Sequence, residues 1–405
     1  MEFEIQYTSE QEEFRKEVQA WVQANVGEYP KDRLGEWPLN ETDVTIEQWQ
    51  WKLDIRRKLG NKGWLFPTMP KEYGGGGMTL DKELILGEEL EKFDLPNERK
   101  TAIAGIYVWG TEEQKQKLLK PILSGDTYYI NCWTEPDAGV DLASIKTTAI
   151  KDGDDYVFNG IKCYISFNHR PDFFWTLAVT DPDAPRHANV GHFYMPTDIP
   201  GISWQRQPLI NRGSQNFVFF DNVRVPKEYL IAGETQGWQV AQTALEMEHG
   251  GAGSLTGRGE LVDDLINEWK EGKVHSMAQG DAARQHLVDT LIRSNIDRLI
   301  QRRNFWMFRA KQPQSYHGAQ GTWYGRETRI RSAEDLLELL GPHALMEDEK
   351  WGLLAGRMES ASRNASMATH AAGSYEVDKV IIARRIGMSR TKEVAAPTHQ
   401  TASTA

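Results

Sequence analysis

Apolar residues near the start of the chain recur at the spacing of an amphipathic helix, and each run follows a pair of polar residues. Ser9 and Glu12 have the spacing of a capping box, and Thr111 and Gln114 repeat it about a hundred residues later. These patterns predict a helical N-terminal region. The apolar positions are Phe14, Val18, Trp21 and Val22 in the first run and Leu118, Leu119, Ile122 and Leu123 in the second.

Four consecutive glycines, Gly74 to Gly77, lie between these runs. A phosphate-binding loop would end in Lys followed by Ser or Thr, and this run does not. We therefore expect a flexible connection between helices.

The pattern changes between about Thr127 and Gly237, where short aromatic and β-branched runs are separated by Asp-Gly, Asn-Gly, Asp-Pro and Pro-Gly breakers. Such runs predict a compact antiparallel β-domain that the chain leaves at Val225 and Pro226. The apolar and aromatic positions are Tyr156, Phe158, Ile161, Tyr164, Phe174, Trp175, Leu177, Val179, His192, Phe193, Tyr194, Ile202, Trp204, Phe217, Phe219 and Val223.

Helical spacing returns after Gly237 and predicts a bundle whose apolar stripes all face inward. The segment from Gln312 to Arg326 is rich in Gly and Gln and is predicted to be a loop, and the residues from Ala395 onward a disordered tail. The stripes are Leu287, Val288, Leu291, Ile292, Ile296, Leu299 and Ile300, then Leu336, Leu337 and Leu340, then Val377, Val380, Ile381 and Ile382.

Composition bounds the class of protein. A chain of 405 residues is long enough for two or three domains, and a net charge of −11 argues against nucleic acid or an anionic membrane as the main partner. The two cysteines, Cys132 and Cys163, lack metal-ligand spacing, so no metal site and no disulfide are expected. The sequence contains no membrane-spanning apolar run, and a cytoplasmic protein is the simplest expectation.

Two stretches carry candidate chemistry. From Asn131 to Ser144 a strand runs into a turn at Pro136 and Gly139, which would leave backbone N–H groups and the Thr134 hydroxyl available for a flat polar cofactor. An ordinary strand and surface turn is the alternative.

The second stretch is WQVAQTALEMEHGGAGS, in which Glu246, Glu248 and His249 precede three closely spaced glycines. Each glycine inside a helix costs about 1 kcal/mol relative to Ala, which indicates close approach of a backbone or flat ligand. A frayed or kinked helix with solvated glutamates is the alternative.

Several ordered motifs resemble the acyl-CoA dehydrogenases. TEPDAGVDLASIKTTA followed by YVFNGIKCYIS is similar to the flavin-binding core of that family, and the likeness runs from Tyr7 to Arg390 through GWLFPTMPKEYGGGGMTL, YVWGTEEQKQKLLKPILSGD, FDNVRVPKEYLI and AAGSYEVDKVIIARRIGMSR. The resemblance implies an α+β fold: an N-terminal α-helical domain (1–126), a middle antiparallel β-barrel domain (127–237), a C-terminal four-helix bundle (238–393) and a tail (394–405).

The resemblance also implies FAD-dependent dehydrogenation of an acyl-CoA thioester to a 2,3-enoyl-CoA, with a carboxylate that removes the α-proton. Ala372 stands where medium-chain members carry that Glu, whereas LEMEH is similar to the pattern of members that place it on the first helix of the bundle. Glu248 is therefore the expected base. Burial beside an acyl chain should raise its pKa above the ordinary value of about 4.3.

Other residues match the family's cofactor contacts. The resemblance assigns FAD contacts to the turn, to Tyr164 at the position of a ring-stacking Trp, to Ser166 near the flavin N5, and to glycine-rich positions farther on. Val140, Glu246 and His249 are expected to line the substrate site. The cofactor residues are Asn131, Trp133, Thr134, Gly139, Val140, Tyr164, Ser166, Gly341, Gly373, Ser374 and Glu376.

Some positions depart from the family pattern. Val140 replaces a Ser, Asp137 a Gly and His249 an Arg, so the substrate is expected to be held differently. The segment that sends an Arg to a neighbouring subunit's FAD is absent around Trp269 to Gln279. The resemblance implies a homo-oligomer, dimer or tetramer, or a hetero-oligomer with a second acyl-CoA dehydrogenase-like subunit. The missing segment puts the family's usual four-flavin homotetramer in doubt and favours a homodimer or one half of a heteromeric dehydrogenase.

Three function classes follow. The first is an acyl-CoA dehydrogenase that passes electrons to an electron-transfer flavoprotein. The second is a flavin-dependent oxidase or monooxygenase on the same fold, and the third is a non-catalytic partner subunit of a heteromeric dehydrogenase. The identity of the acyl group is left open.

Overall fold

A computed structural model describes residues 7–26, 45–91, 100–210, 214–249, 260–274, 281–347, 352–367 and 373–389. The chain divides into two compact units. The sheet unit comprises the described residues up to Glu248, and the helical unit those from His249 onward.

The α-helices are α1 (Ser9–Asn25), α2 (Ile46–Asn61), α3 (Leu80–Glu91), α4 (Thr101–Trp109), α5 (Glu112–Gln114), α6 (Lys120–Leu123), α7 (Gly237–His249), α8 (Glu260–Lys270), α9 (Asp281–Arg309), α10 (His317–Leu340), α11 (Arg357–Met367) and α12 (Tyr375–Arg385). The strands are β1 (Tyr129–Cys132), β2 (Thr148–Asp152), β3 (Asp155–Ile165), β4 (Phe173–Val179), β5 (Val190–Pro196), β6 (Ile202–Pro208), β7 (Ser214–Pro226) and β8 (Leu230–Ile231).

Capping boxes begin the N-terminal helices. The box predicted at Thr111 and Gln114 is confirmed, because each residue's side chain accepts the other's backbone N–H. The box predicted at Ser9 and Glu12 is wrong by one residue, since Thr8 and Gln11 form it instead. Both pairs have the required spacing, and the structure uses the one that begins the helix a residue earlier.

The four-glycine run is held in place rather than flexible, so the predicted flexible connection is wrong. The N–H groups of Gly75, Gly76 and Gly77 donate to the carbonyls of Pro70, Phe66 and Met69 at 3.0, 3.3 and 2.8 Å. A side chain on Gly75 would collide with the Met69 backbone, its Cβ lying 2.2 Å from the carbonyl oxygen. Glycine is needed here for close backbone approach.

The eight strands form one sheet in the order β6-β7-β3-β2-β4-β5-β8, with β1 paired to β4. Most neighbours are antiparallel, but β4 has two parallel neighbours. β1 aligns Tyr129 with Phe173 and Cys132 with Thr176, and β2 aligns Thr148 with Val179. One core of the sheet is strongly aromatic, which agrees with the aromatic runs of the sequence. Its buried aromatic members are Tyr128, Tyr156, Phe158, Phe167, Phe174, Phe193 and Phe220, together with Trp49 of α2.

Two helices pack closely on Trp175 of β4. A Cβ on Gly105 of α4 would lie 2.5 Å from the Trp175 ring and 3.2 Å from Val240 of α7, so only glycine permits this approach. At the start of α7, a Cβ on Gly237 would lie 2.5 Å from the backbone of Gly191 in β5. These contacts fix α7 against the sheet.

The helical unit contains α8 to α12, and α9 packs chiefly against α10. The buried side of α9 carries polar residues as well as Leu287 and Phe305, whereas several apolar residues of the same helix face solvent. The prediction that its whole apolar stripe faces inward is therefore wrong for Val288, Ile292, Ile296 and Leu299, as it is for Val380 of α12. The buried polar residues of α9 are Thr290, Ser294, Asp297, Gln301 and Asn304.

The loop predicted from Gln312 to Arg326 is wrong beyond Tyr316, because α10 begins at His317. Its small residues are packing positions: a Cβ on Gly321 would lie 3.0 Å from the Asn304 side chain of α9. The predicted tail from Ala395 lies outside the described residues.

The predicted fold class is confirmed in its order of a helical N-terminal region, a central sheet and a helical C-terminal region. The residue bounds of the three domains remain predictions. Across the described ranges, each helix is too short or too polar to cross a bilayer.

Candidate active site

The turn after β1 presents unpaired backbone donors. Glu135 and Ala138 exchange two backbone hydrogen bonds of 3.0 and 3.1 Å and so close the turn. Among the described residues, the N–H groups of Thr134, Gly139 and Val140 have no backbone acceptor. The space beside Gly139 is open, and Val140 is 66 % exposed. The turn therefore offers several directed donors beside an open surface.

A buried ion pair fixes this turn to β3. Lys162, which is fully buried, donates to the Trp133 carbonyl at 3.0 Å and to the Glu135 carboxylate at 2.8 Å. The same carboxylate accepts the backbone N–H groups of Lys146 and Thr147. The Glu135 carboxylate thus connects the end of β3, through Lys162, to the backbone at Lys146 and Thr147, which follows the turn.

The charge state of Glu135 follows from these contacts. Burial alone would raise the pKa of Glu135, but the Lys162 ammonium and the hydrogen bonds hold the pKa below its ordinary value. The Glu135 carboxyl is therefore ionised near neutral pH, and removing one partner of the pair would leave the other buried alone. Sequence reasoning missed it, although a lysine between Ile161 and Cys163 in an otherwise apolar strand end was a usable signal.

Tyr164 and Ser166 lie beside the turn, because the Cys163 N–H donates to the Thr134 carbonyl at 2.8 Å. Tyr164 has a φ of +58°, which few residues other than glycine adopt, and its side chain is 53 % exposed. Strain of this kind concentrates at functional sites. The Ser166 hydroxyl accepts from Gln215 Nε2 at 3.1 Å, which leaves its own proton for another acceptor.

These residues fit a flavin ring. An isoalloxazine carries carbonyl and ring-nitrogen acceptors along one edge and has two flat apolar faces. The Thr134, Gly139 and Val140 N–H groups and the Ser166 hydroxyl match the acceptors, and the exposed Tyr164 ring matches a face. Sequence reasoning brought these residues together by resemblance, and the structure places the turn next to the end of β3.

Asn131 and Trp133 point into the protein. The Asn131 side chain accepts the Thr101 hydroxyl of α4 at 2.7 Å. Trp133 is buried edge-on to His192, which stacks on Trp175 with ring centroids 3.7 Å apart. Burial lowers the pKa of His192 well below its usual value, so this imidazole is neutral. Asn131 and Trp133, which are both predicted to contact the cofactor, therefore lie in the layer of side chains that supports the turn.

Helix α7 carries the predicted base. Val240, Ala241 and Ala244 are buried in the same core as Trp133 and Trp175, and Trp109 Nε1 donates to the Thr243 hydroxyl at 2.9 Å. Position 248 follows Ala241 by seven residues and Ala244 by four, which is the spacing of residues that share one face of a helix. Glu246 is half-buried, and the side chains of Glu248 and His249 lie outside the described residues, as does Ala372.

The remaining predicted cofactor residues belong to the helical unit. Gly341 ends α10 with φ 56° and ψ −141°, a conformation that requires glycine. Arg326 donates to the Gly373 carbonyl at 2.6 Å and pairs with buried Asp378 at 3.1 Å, which fixes the turn before Ser374. Ser374 precedes the first residue of α12, and Glu376 lies in its first turn.

Three family models match the chain in succession. They are the N-terminal domain of acyl-CoA dehydrogenase over residues 8–126, the middle domain over 131–223 and the C-terminal domain over 235–387.

Individual proteins match over nearly the whole chain. Acyl-CoA dehydrogenase FadE26 of Mycobacterium tuberculosis is 28 % identical over 93 % of this chain and 96 % of the relative. The Tcur3481-Tcur3483 steroid ACAD has a TM-score of 0.82 at 27 % identity, covering 97 % of this chain and 100 % of that one. The ChsE4-ChsE5 complex from Mycobacterium tuberculosis gives 0.77 at 25 % identity, covering 96 % and 100 %. The chain belongs to the acyl-CoA dehydrogenase family of flavoprotein oxidoreductases.

Proposed function

We propose that this chain binds FAD and converts an acyl-CoA thioester to its 2,3-enoyl-CoA, with Glu248 as the base. One observation carries the proposal: the helix that bears position 248 is fixed, through Gly105, Val240 and Gly237, to the sheet that presents the Thr134 turn and Tyr164. A base and a ring-binding surface on one rigid support are what α,β-dehydrogenation requires.

The reaction removes a proton and a hydride from adjacent carbons. Bound FAD would supply a hydride acceptor for the β-carbon. Glu248 takes the α-proton onto its carboxylate, and the electron pair of that C–H bond becomes part of the new Cα=Cβ bond. Because the proton moves to a carboxylate, Glu248 must be ionised when substrate binds.

The other residues bind and orient. The N–H groups of Thr134, Gly139 and Val140 and the Ser166 hydroxyl hold the ring edge, and Tyr164 covers one face. Lys162 and Glu135 keep the turn in the required conformation without contacting substrate. Val140, Glu246 and His249 line the acyl-CoA side. Gly373, Ser374 and Glu376 serve the diphosphate and adenosine part of FAD, and Gly341 receives the FAD of a neighbouring subunit.

Family membership supports further parts of the proposal. Electron-transfer flavoprotein is the proposed acceptor. The solved relatives include complexes named for two chains, which supports an oligomer, homomeric or with a second acyl-CoA dehydrogenase-like subunit. A steroid-active relative supports testing ring-bearing acyl groups.

The test is an anaerobic titration of the flavin-loaded protein with straight-chain, branched and ring-bearing acyl-CoA thioesters. We expect at least one thioester to bleach the oxidised-flavin absorbance, and the corresponding free acids to leave it unchanged. A flavin that no thioester bleaches would contradict a dehydrogenase role and favour a non-catalytic subunit. Oxygen consumption with peroxide release as fast as reduction of an artificial acceptor would favour an oxidase.

A further inference from the structure

The start of β7 holds the residue that follows β3. Asn216, which is buried, donates from Nδ2 to the Ile165 carbonyl at 3.1 Å and to the Phe167 carbonyl at 2.6 Å. These two bonds fix the backbone on both sides of Ser166. Gln215, the residue before Asn216, donates from Nε2 to the Ser166 hydroxyl oxygen at 3.1 Å. Two successive residues of β7 therefore hold the backbone and the side chain of Ser166.

The pairing of β3 with β7 is irregular just before Ser166. The register shifts between Lys162 and Ile165, and Tyr164, which lies in this interval, has a φ of +58°. Irregularities of this kind turn side chains away from the ordinary alternation of a strand and are common beside active sites. The Gln215 contact thus lies at the strand end that also carries the exposed Tyr164 ring.

The bond from Gln215 limits where the Ser166 proton can point. A hydroxyl has one proton and two lone pairs, and here the amide N–H occupies one lone pair. The proton therefore cannot be shared with Gln215, and within the part of the chain that the structure describes no acceptor for it is present. A donor on the oxygen also polarises the O–H group, which strengthens the bond that its proton makes.

We propose that Gln215 is a positioning residue that directs the Ser166 proton to N5 of the flavin ring. N5 of an oxidised flavin is a ring nitrogen that accepts a hydrogen bond. Gln215 acts through the Ser166 hydroxyl, and in this role it needs no contact with flavin or substrate. This role rests on the proposed function, because it requires a flavin beside the Thr134 turn.

The test compares the dissociation constants of oxidised FAD and 5-deaza-FAD. The analogue has a C–H group in place of N5 and accepts no hydrogen bond there. The full chain, from which flavin has been removed, is titrated with each. Wild type should bind FAD about tenfold more tightly than 5-deaza-FAD, because the Ser166 proton has no acceptor in the analogue. Ser166→Ala should bind the two flavins with equal affinity.

Substitutions of Gln215 separate the direction of the proton from its presence. Gln215→Glu keeps the size of the side chain but presents only acceptors when ionised, so the Ser166 proton should turn to it and the preference for FAD should disappear. Gln215→Met presents neither donor nor acceptor and should leave a preference of about threefold. In the Ser166→Ala background, neither substitution should change the preference.

Gln116→Met is the matched control. Gln116 is an exposed glutamine of the sheet unit whose amide donates to Glu112 at 3.2 Å. This variant should keep the wild-type preference. The preference is the informative quantity, since damage to the fold would weaken the binding of both flavins alike.

Four results would overturn the proposal. One is a Gln215→Glu variant that keeps the wild-type preference, because the amide would then not direct the proton. Another is a further effect of Gln215→Met on the preference in the Ser166→Ala background. A wild type that binds both flavins equally tightly would overturn the role of Gln215 and leave the proposed function standing. A wild type that binds neither flavin would contradict both.

Discussion

The candidate site of the sheet unit and helix α9 of the helical unit bury polar groups in different ways. Beside the turn after β1, Lys162 and Glu135 form a buried ion pair that fixes the backbone. In the helical unit α9 buries a row of polar side chains and exposes several of its aliphatic ones. An apolar stripe in the sequence therefore does not by itself show which side of a helix is buried.

Breaking the Lys162–Glu135 pair should lower the unfolding free energy more than removing a buried polar side chain of α9. Lys162→Met leaves the Glu135 carboxylate buried without its cation, and we expect a loss of about 3 to 5 kcal/mol in unfolding free energy together with weaker flavin binding. Urea unfolding and the flavin content of the purified protein measure the two effects.

The matched control is Lys146→Met. Lys146 pairs with Asp137 at 2.8 Å in the same turn, but both side chains are exposed, so no measurable change is expected. Adding Glu135→Gln to Lys162→Met should restore part of the stability. Equal losses for the two lysine variants would show that burial of the pair is unimportant.

The helical unit has a second buried pair, Arg326–Asp378. The contribution of this pair to stability should depend on pH in the opposite sense to that of Lys162–Glu135. Burial raises the pKa of Asp378 to about 6 although Arg326 opposes the shift. The folded state therefore keeps a proton that the unfolded state has released, so this contribution to stability is full below about pH 4 and is lost as the pH rises towards 7. Relative to Asp378→Asn, wild type should lose about 3 kcal/mol over that range.

Urea unfolding of both proteins between pH 4 and pH 7 measures that difference. The prediction fails if wild type gains stability relative to Asp378→Asn as the pH rises, because the Arg326 charge would then outweigh burial. The two buried pairs would in that case behave alike.

The polar interior of α9 should matter less at any single position. Asn304→Ala removes the donor to the His317 carbonyl and should cost about 2 kcal/mol, since a buried acceptor is left unpaired. Asn295→Ala, on the exposed side of the same helix, should change stability by no more than about 0.5 kcal/mol. Thermal unfolding of the two variants compares the sides directly, and equal effects would contradict the assigned orientation of α9.

Tyr164, one of the positive-φ residues of the sheet unit, gives the smallest expected change. Tyr164→Gly relieves a positive φ and should raise unfolding free energy by about 1 kcal/mol while weakening flavin binding, because the ring is lost. Tyr164→Ala also lacks the ring but keeps the strain, so it should weaken flavin binding without the gain in stability. Unchanged flavin affinity in both variants would remove Tyr164 from the cofactor site.

Much of the fold could be predicted from local pattern. The capping box at Thr111 follows from a four-residue motif, and the strands follow from aromatic runs between turn residues. The turn after β1 could be proposed as a donor surface because Pro136 and Gly139 end the strand, and the structure bears out its unpaired N–H groups.

The wrong or missing predictions concern contacts between residues that are distant in the sequence, which local spacing does not indicate. The spacing of Ile292 and Leu299 gives a stripe but not its direction, which depends on bonds between α9 and α10. The glycines of α10 suggested a loop, whereas they allow two helices to approach. The Lys162–Glu135 pair joins residues 27 apart in sequence, and only the fold brings them together.

The central claim is that Glu248 removes the substrate proton, and anaerobic flavin reduction of Glu248→Gln by an acyl-CoA thioester that bleaches wild type tests it most directly. We predict a variant that keeps its flavin and is bleached about 100 to 10,000 times more slowly, while Gln242→Ala on the exposed side of the same helix matches wild type. Bleaching of Glu248→Gln at the wild-type rate would contradict the account.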